Sequence, residues 1–364
     1  MVKQLQQLNK QLKIDVITTQ PNRYASYDAE AKLFEQQDNV SIRRIPLPGH
    51  RSGMIDQAKA FIYFAKEVNK LIKHQEYSLV FATSSRLMTA VLGTWIARKK
   101  KTKLYLDIRD IFVDTIKDVF PKKISMFIQP FFSKLEQWSF ARANCINMVS
   151  KGFYNYLNTR YPDTKLQFFT NGIDSEFTSF NHDTIPSAPQ TRPKSILYAG
   201  NIGEGQGLHL IIPELAKQLN GIANFKIIGD GGKKELLKIA TVGLNNVELL
   251  PPMNRQQLLK EYQQADILFL HLNDYDAFRK VLPSKLFEYA ATGAPIWAGV
   301  AGYSKEFIQE EIENAAVFNP CNYEEAIKAL STLKPEKIHR GLFIEKYDRS
   351  NIMTAMAQDI LSTI

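Results

Sequence analysis

Short apolar runs rich in β-branched residues alternate with stretches of helical periodicity along the whole chain, and few architectures accommodate that rhythm. In the first half the strand-like runs are Ile14–Thr18, Ser41–Ile45, Leu79–Ala82, Leu104–Ile108 and Ile146–Val149. In the second half they are Ile196–Ala199, Phe225–Ile228, Val247–Leu250, Ile267–Leu270, Ile296–Ala298 and Ala316–Phe318. Between them lie helical stripes such as Asp56–His74, apolar at Ala58, Phe61, Ile62, Ala65, Val68 and Ile72. Strands apolar on both sides, separated by helices, predict parallel sheets covered on both faces. The expected class is α/β.

A chain of 364 residues is long enough for two such domains. The segment FNHDTIPSAPQTRPK is rich in Pro, Ser, Thr and Gln, as a linker is. The expected layout is a domain over 1–175, a linker over 176–193, a second domain over 194–345 and a terminal helix over 346–364 that returns to the first domain. Two doubly wound, Rossmann-like sheets would then face each other across a cleft. Ligands in such sheets bind beyond the carboxyl ends of the strands, so the informative positions are the loops that follow them. One irregularity stands out: the chain opens on a helix, Val2–Leu12, so the first strand of the amino-terminal domain is expected to be missing. No apolar run reaches membrane-spanning length. The polar opening MVKQLQQLNKQLK is unlike a signal peptide, which predicts a cytoplasmic location. Cys145 and Cys321 sit among apolar neighbours without metal-ligand spacing and are expected to be buried free thiols.

Charge is unevenly divided. Residues 1–175 hold 27 Lys+Arg and 15 Asp+Glu, whereas 176–364 hold 19 and 22, within a net +9. A basic half beside a near-neutral one suggests that one face meets a polyanion. In that half, Lys122, Lys123 and Lys134 are interleaved with Phe127, Phe131, Phe132 and Trp138. Such a helix either lies in a lipid interface or is a core helix with solvated lysines. A peripheral seat on an anionic membrane is thus one expectation. Nucleic acid is not expected as a partner, since arginine is not concentrated and no reading module is visible.

Two glycine-rich turns follow strands in the second half. After SILYAG comes NIGEGQG, with Gly200, Gly203, Gly205 and Gly207 ahead of a helix; after a later strand comes IIGDGG, with Gly229 and Asp230. Turns of this kind let backbone N–H groups approach a phosphate, although a tight turn by itself also explains them. Further on, VLPSKLFEYAATGAPI reads as a helix started by Pro283 and capped by Ser284. Lys285 and Glu288 are three apart and share one face. Either they form a surface ion pair, or Lys285 meets a diphosphate while Glu288 accepts hydrogen bonds from a ribose.

The order YAGNIGEGQGL, IIGDGG, ADILFLHL and PSKLFEYAATGAPI, with NGID (Asn171–Asp174) before the linker, resembles the GT-B glycosyltransferases of family 4. It is similar within them to the bacterial polysaccharide-assembly branch that includes N-acetylfucosaminyl transferases. The resemblance covers nearly the whole chain. It implies a second domain that binds a nucleoside-diphosphate sugar, a first domain that binds a lipid-linked or polysaccharide acceptor, and transfer with retention, without metal or other cofactor. Glu288 matches the second carboxylate of the family's paired-glutamate motif. Lys280 stands where the first should be. Asn201 and Gln206 stand where an Arg and a Lys often grip the diphosphate, and either Lys285 or Lys280 is the replacement cation.

In the first domain LYLDIRDIFVDTIKD follows a strand into the cleft. The resemblance makes Arg109 and Asp110 catalytic or sugar-contacting candidates beside Lys285, with Asp107 near them; helix capping by Asp110 is the other reading. The loop LPGHRSGM adds His50 and Arg51 as acceptor candidates. Three rivals stay open. Asp274-Tyr275-Asp276 has the spacing of a metal-binding DxD, the glycine turns with Asp230 suit an NAD(P)-dependent epimerase or reductase, and the neutral Asn201 and Gln206 suit a non-catalytic nucleotide-sugar-binding subunit.

Overall fold

A computed structural model of the chain describes residues 1–20, 31–48, 54–84, 86–119, 122–178 and 192–364. The amino-terminal part runs α1 (Val2–Leu8), β1 (Ile14–Thr19), β2 (Phe34–Gln37), β3 (Val40–Ile45), α2 (Met54–Leu71) and β4 (Leu79–Ser84). It continues through α3 (Leu87–Lys100), β5 (Lys103–Ile108), α4 (Phe112–Val119), α5 (Lys122–Phe140) and β6 (Cys145–Met148). It closes with α6 (Tyr154–Arg160), β7 (Lys165–Phe168) and α7 (Ser175–Thr178). These strands form a parallel sheet β4-β5-β6-β7 and a separate sheet β1-β3-β2, in which β2 is antiparallel to β3. The strand-like runs of the sequence all recur. β2, with the sequence FEQQ, and β7, with KLQF, are additional, because neither is apolar enough to stand out. Helix α1 ends at Leu8, a turn earlier than the pattern suggested.

The carboxy-terminal part runs β8 (Lys194–Asn201), α8 (Leu208–Gln218), β9 (Ala223–Asp230), α9 (Lys234–Ala240), β10 (Val247–Leu250), α10 (Arg255–Gln264) and β11 (Ile267–His271). Then come α11 (Lys285–Ala291), β12 (Ile296–Gly299), α12 (Tyr303–Glu311), β13 (Ala315–Phe318), α13 (Tyr323–Leu330), α14 (Gly341–Lys346) and α15 (Arg349–Thr363). Its six strands are all parallel, in the order β10-β9-β8-β11-β12-β13. The period-two pleat sorts the side chains cleanly. Leu197, Ala199, Leu268, Leu270 and Ile296 join one core with α11, α12 and α14. Ile196, Tyr198, Phe225, Phe269 and Trp297 join the other with α8 and α13. The chain is therefore α/β, with both faces of this sheet covered. The order reverses between β8 and β11, and a crevice opens at such a switch point beyond the strand ends.

Helix α15 does not stay with the second sheet. Met356, Ala357 and Ile360 pack with Leu5 of α1 onto Tyr105 and Cys145, on one face of the first half's parallel sheet. The Asp359 carboxylate accepts hydrogen bonds from the Tyr105 hydroxyl (2.9 Å), Lys165 Nζ (2.6 Å) and Gln167 Nε2 (2.8 Å). The other face carries α3, α4 and α5. The linker expected over 176–193 lies mostly outside the described residues. The expectation of two buried thiols needs correction: Cys145 is buried, but Cys321 is exposed in the turn after β13.

Candidate functional site

The crevice is built from the loops that leave β8 and β11. Gly200, next to last in β8, has φ of 152°, and a Cβ there would lie 2.0 Å from Lys285 Nζ. The positive φ is what favours glycine here, and its lack of a side chain lets the lysine ammonium lie close against the backbone. The same ammonium sits 4.1 Å from the centroid of the Tyr198 ring. Desolvation is the main cause that pushes the Lys285 pKa down to about 7, with the Glu288 charge opposing it. Among the described residues no ion pair joins Lys285 to Glu288, which removes the surface-pair reading. Ser284 also departs from expectation. It is itself in the helical region and its hydroxyl caps nothing, since Pro283 and Ser284 carbonyls accept the first turn's bonds.

Glu288 lies one turn along α11, 20% exposed at the side chain, and Arg255 Nη1 donates to it at 2.9 Å. The same guanidinium binds Asp174 (3.0 Å) and Glu176 (2.9 Å) and covers the Phe177 ring. Arg255 thus ties the carboxylate of α11 to the NGID segment ahead of the linker. Residue types alone gave no sign of it. Its partners lie 33 to 81 positions away.

The glycine loop is held internally. Gln206 Oε1 accepts from Asn201 Nδ2 (2.8 Å) and from the Gly203 amide (3.2 Å), so the two residues standing in for cations bind each other. The Gln206 and Gly207 amides are likewise spent inside the loop. Gly207 has φ of 56°, and a Cβ there would meet Asn273 Oδ1 at 1.9 Å. Asn273, after β11, donates to the Glu204 carbonyl, and its own amide donates to the Gly205 carbonyl at 2.9 Å. Buried His271 completes the brace. Its Nδ1 meets the Gln206 carbonyl at 2.7 Å and its Nε2 accepts from the Cys321 amide at 2.9 Å. That pattern fixes one neutral tautomer, and burial keeps the ring uncharged, with its pKa lowered to about 4. Gly229 packs directly on the Gly200 carbonyl, so the two glycine turns do meet. Asp230 accepts from the Gly231 amide (2.8 Å) and lies 3.9 Å from Lys234.

In the first half, Arg109 follows β5 and is braced by three side chains: Asp107 (3.1 Å), Thr83 (3.1 Å) and Asn171 (2.9 Å). Asp107 itself is 1% exposed, bound by Thr83, Arg109 and Asn147. It positions Arg109 and cannot reach an acceptor. Asp110 accepts no bond from a described residue, so the helix-capping reading fails. Surrounding protein raises its pKa to about 6, with Arg109 opposing. Lys280 crosses to the first half, pairing with Asp114, while the Ser150 hydroxyl donates to the Lys280 carbonyl at 2.5 Å. Ser150 also caps the short turn at Lys151, accepting from Gly152. Arg279 holds both carboxylate oxygens of Asp274 (2.9 and 3.0 Å), so the DxD-like stretch is engaged as a surface pair. His50 and Arg51 lie outside the described residues.

Two parallel α/β units whose loops meet at such a crevice define the GT-B fold. Residues 181–348 match the family of group 1 glycosyl transferases, so the second half carries a domain of that type. WcaI, a colanic acid biosynthesis glycosyl transferase of Escherichia coli, is 28% identical over 181 residues. That match covers 46% of this chain and 43% of WcaI, so the chain spans less than half of its curated relative. Sucrose-phosphate synthase from Thermosynechococcus elongatus superposes with a TM-score of 0.74 at 14% identity, covering 99% of this chain and 92% of that one. HepE of Anabaena, solved with UDP, gives 0.64 at 13% identity, covering 96% and 100%.

Proposed function

We propose that the chain is a retaining glycosyltransferase of the polysaccharide-assembly branch that includes N-acetylfucosaminyl transferases. Its donor is a nucleoside-diphosphate sugar, with UDP as the nucleotide, and its acceptor is a hydroxyl of a lipid-linked or polysaccharide glycan. The observation that carries this reading is the Lys285 ammonium laid over Gly200 at the switch point, with Glu288 one turn away. Negative charge grows on the diphosphate as the glycosidic bond breaks, so a cation fixed there favours the transition state over the bound donor. At an effective dielectric of 20 and about 4 Å, one such charge contributes roughly 4 kcal/mol before desolvation. Three loop amides are already satisfied, so more of this load falls on Lys285 than the glycine pattern implied. Glu288 suits the ribose hydroxyls, and HepE, with the same fold, was solved with UDP. Arg109 and Asp110, contributed by the first half, would meet the transferred sugar or the acceptor.

Lys285→Ala should lower kcat by about a thousandfold while the protein still melts cooperatively. Wild-type turnover in that variant would remove the assignment. Proton NMR of the product's anomeric centre tests retention, and calorimetry with UDP tests the donor.

A further inference from the structure

Helix α5 carries an apolar stripe that the fold leaves half uncovered. Ile124, Phe127, Phe131, Leu135 and Trp138 recur three and four apart and so share one face. Towards the carboxyl end, Leu135 and Trp138 line a groove of about 480 Å³ with Phe61 of α2 and Val91 and Trp95 of α3. Towards the amino end the stripe runs out into the open, with Phe127 79% and Phe131 61% exposed. Isolated exposed apolar residues are ordinary, but a continuous strip leading into an apolar groove is not.

On α3 and α5 the exposed charges beside it are basic, while α2 carries Asp56 and Glu67 as well as lysines. Lys123 and Lys134 flank the stripe, Lys99 Nζ lies 4.7 Å from the Trp95 ring, and the Arg142 guanidinium lies 5.5 Å from the Trp138 ring. Glu136 is the one acid within α3 and α5. It is buried, bound by Tyr156 and Tyr161. A protein partner would commonly bring carboxylates to such a rim, but it would not need an open groove between two indoles. Aromatic rings at the edge, lysines beside them and an apolar slot between match the layers of a lipid leaflet: phosphate, glycerol, hydrocarbon.

We propose that this face docks on a phospholipid bilayer with anionic headgroups. The exposed turns of α5 sink into the interface, and the α2–α3–α5 groove receives the end of an acyl chain. The inference deepens the acceptor side of the proposed function, since a lipid-linked acceptor presents its sugar at such a surface.

The full chain is mixed with vesicles of phosphatidylcholine, with or without an equal part of phosphatidylglycerol, and binding is read by flotation. Acyl chains brominated near their ends then report depth, because Trp95 and Trp138 line the groove whereas Trp297 is fully buried in the second sheet. Expected are binding to the anionic vesicles only, loss of most of the Trp95 and Trp138 emission, and persistence of the Trp297 emission. Phe127→Ser and Phe131→Ser should each weaken partitioning at least about tenfold. Lys123→Gln and Lys134→Gln should each weaken it about fivefold, and added salt should act in the same direction. Equal binding to neutral vesicles, binding without quenching, or no binding overturns the proposal. So does a dimer that the phenylalanine substitutions dissolve while vesicles are ignored. A thermal shift with UDP, retained in these variants, shows that they are folded. Its absence from a wild-type chain that still binds vesicles would count against the donor site alone.

Discussion

Lys285 stands in for two cations, and its surroundings set the terms. Burial holds its pKa near 7 in the free protein, against 10.5 in an unfolded chain. The folded group therefore costs stability fully below pH 7, and less as pH rises towards the unfolded value. A bound diphosphate favours the ammonium, so above pH 7 binding must take up a proton. UDP affinity should be flat below about pH 7 and weaken by up to tenfold per pH unit above it. Calorimetry at pH 8 in buffers of different ionisation heat should register that proton; equal heats would refute it. Arg255 makes the second residue-scale case. Freed of it, Glu288 can turn away from a ribose, so Arg255→Leu should weaken UDP about five- to thirtyfold, as Glu288→Gln should. Because the two share one interaction, the double variant should lose less than the product of the single losses.

At the scale of elements, the site is two loops stitched across the switch point, one after β8 and one after β11. Gly207→Ala must place a methyl on Asn273 in a backbone region that L-residues avoid, costing about 1–3 kcal/mol. The loop should give way before the sheet does. UDP binding is expected to fall sharply while the main thermal transition moves by only a few degrees, measured by calorimetry on the same sample. These elements also show what could be read from sequence. The central strands β8, β11 and β12 of the second sheet are apolar on both faces, so ILYA, ILFL and IWA stood out as unbroken runs, and the loops worth inspecting followed from the strand ends. β2 and β7 escaped because FEQQ and KLQF look like surface. Ser284 misled for a local reason: serine before a helix is a common cap, but here Ser284 already has helical backbone angles. Residues such as Arg255 and His271 act through partners distant in the chain, and no spacing rule points to them.

For the whole molecule, the two halves are joined by more than the covalent link. Lys280 pairs with Asp114, Arg349 donates to the Gly172 carbonyl (2.9 Å), and Arg255 spans Asp174 and Glu288. Removal of 349–364 would uncover the face of the first sheet that holds Tyr105 and Cys145 and would leave three donors without Asp359. The truncated chain should melt in two steps, the first half unfolding at the lower temperature, in a calorimetric scan. A single unshifted transition would show that α15 contributes nothing to that half.

The return of α15 also sets a rule for recombination. A chimera with one crossover between the sheets would seat a foreign tail on Tyr105 and Cys145 and replace the acid that closes that face. Exchanging donor specificity with another chain of this shape therefore calls for two junctions, so that the last helix travels with the half it covers.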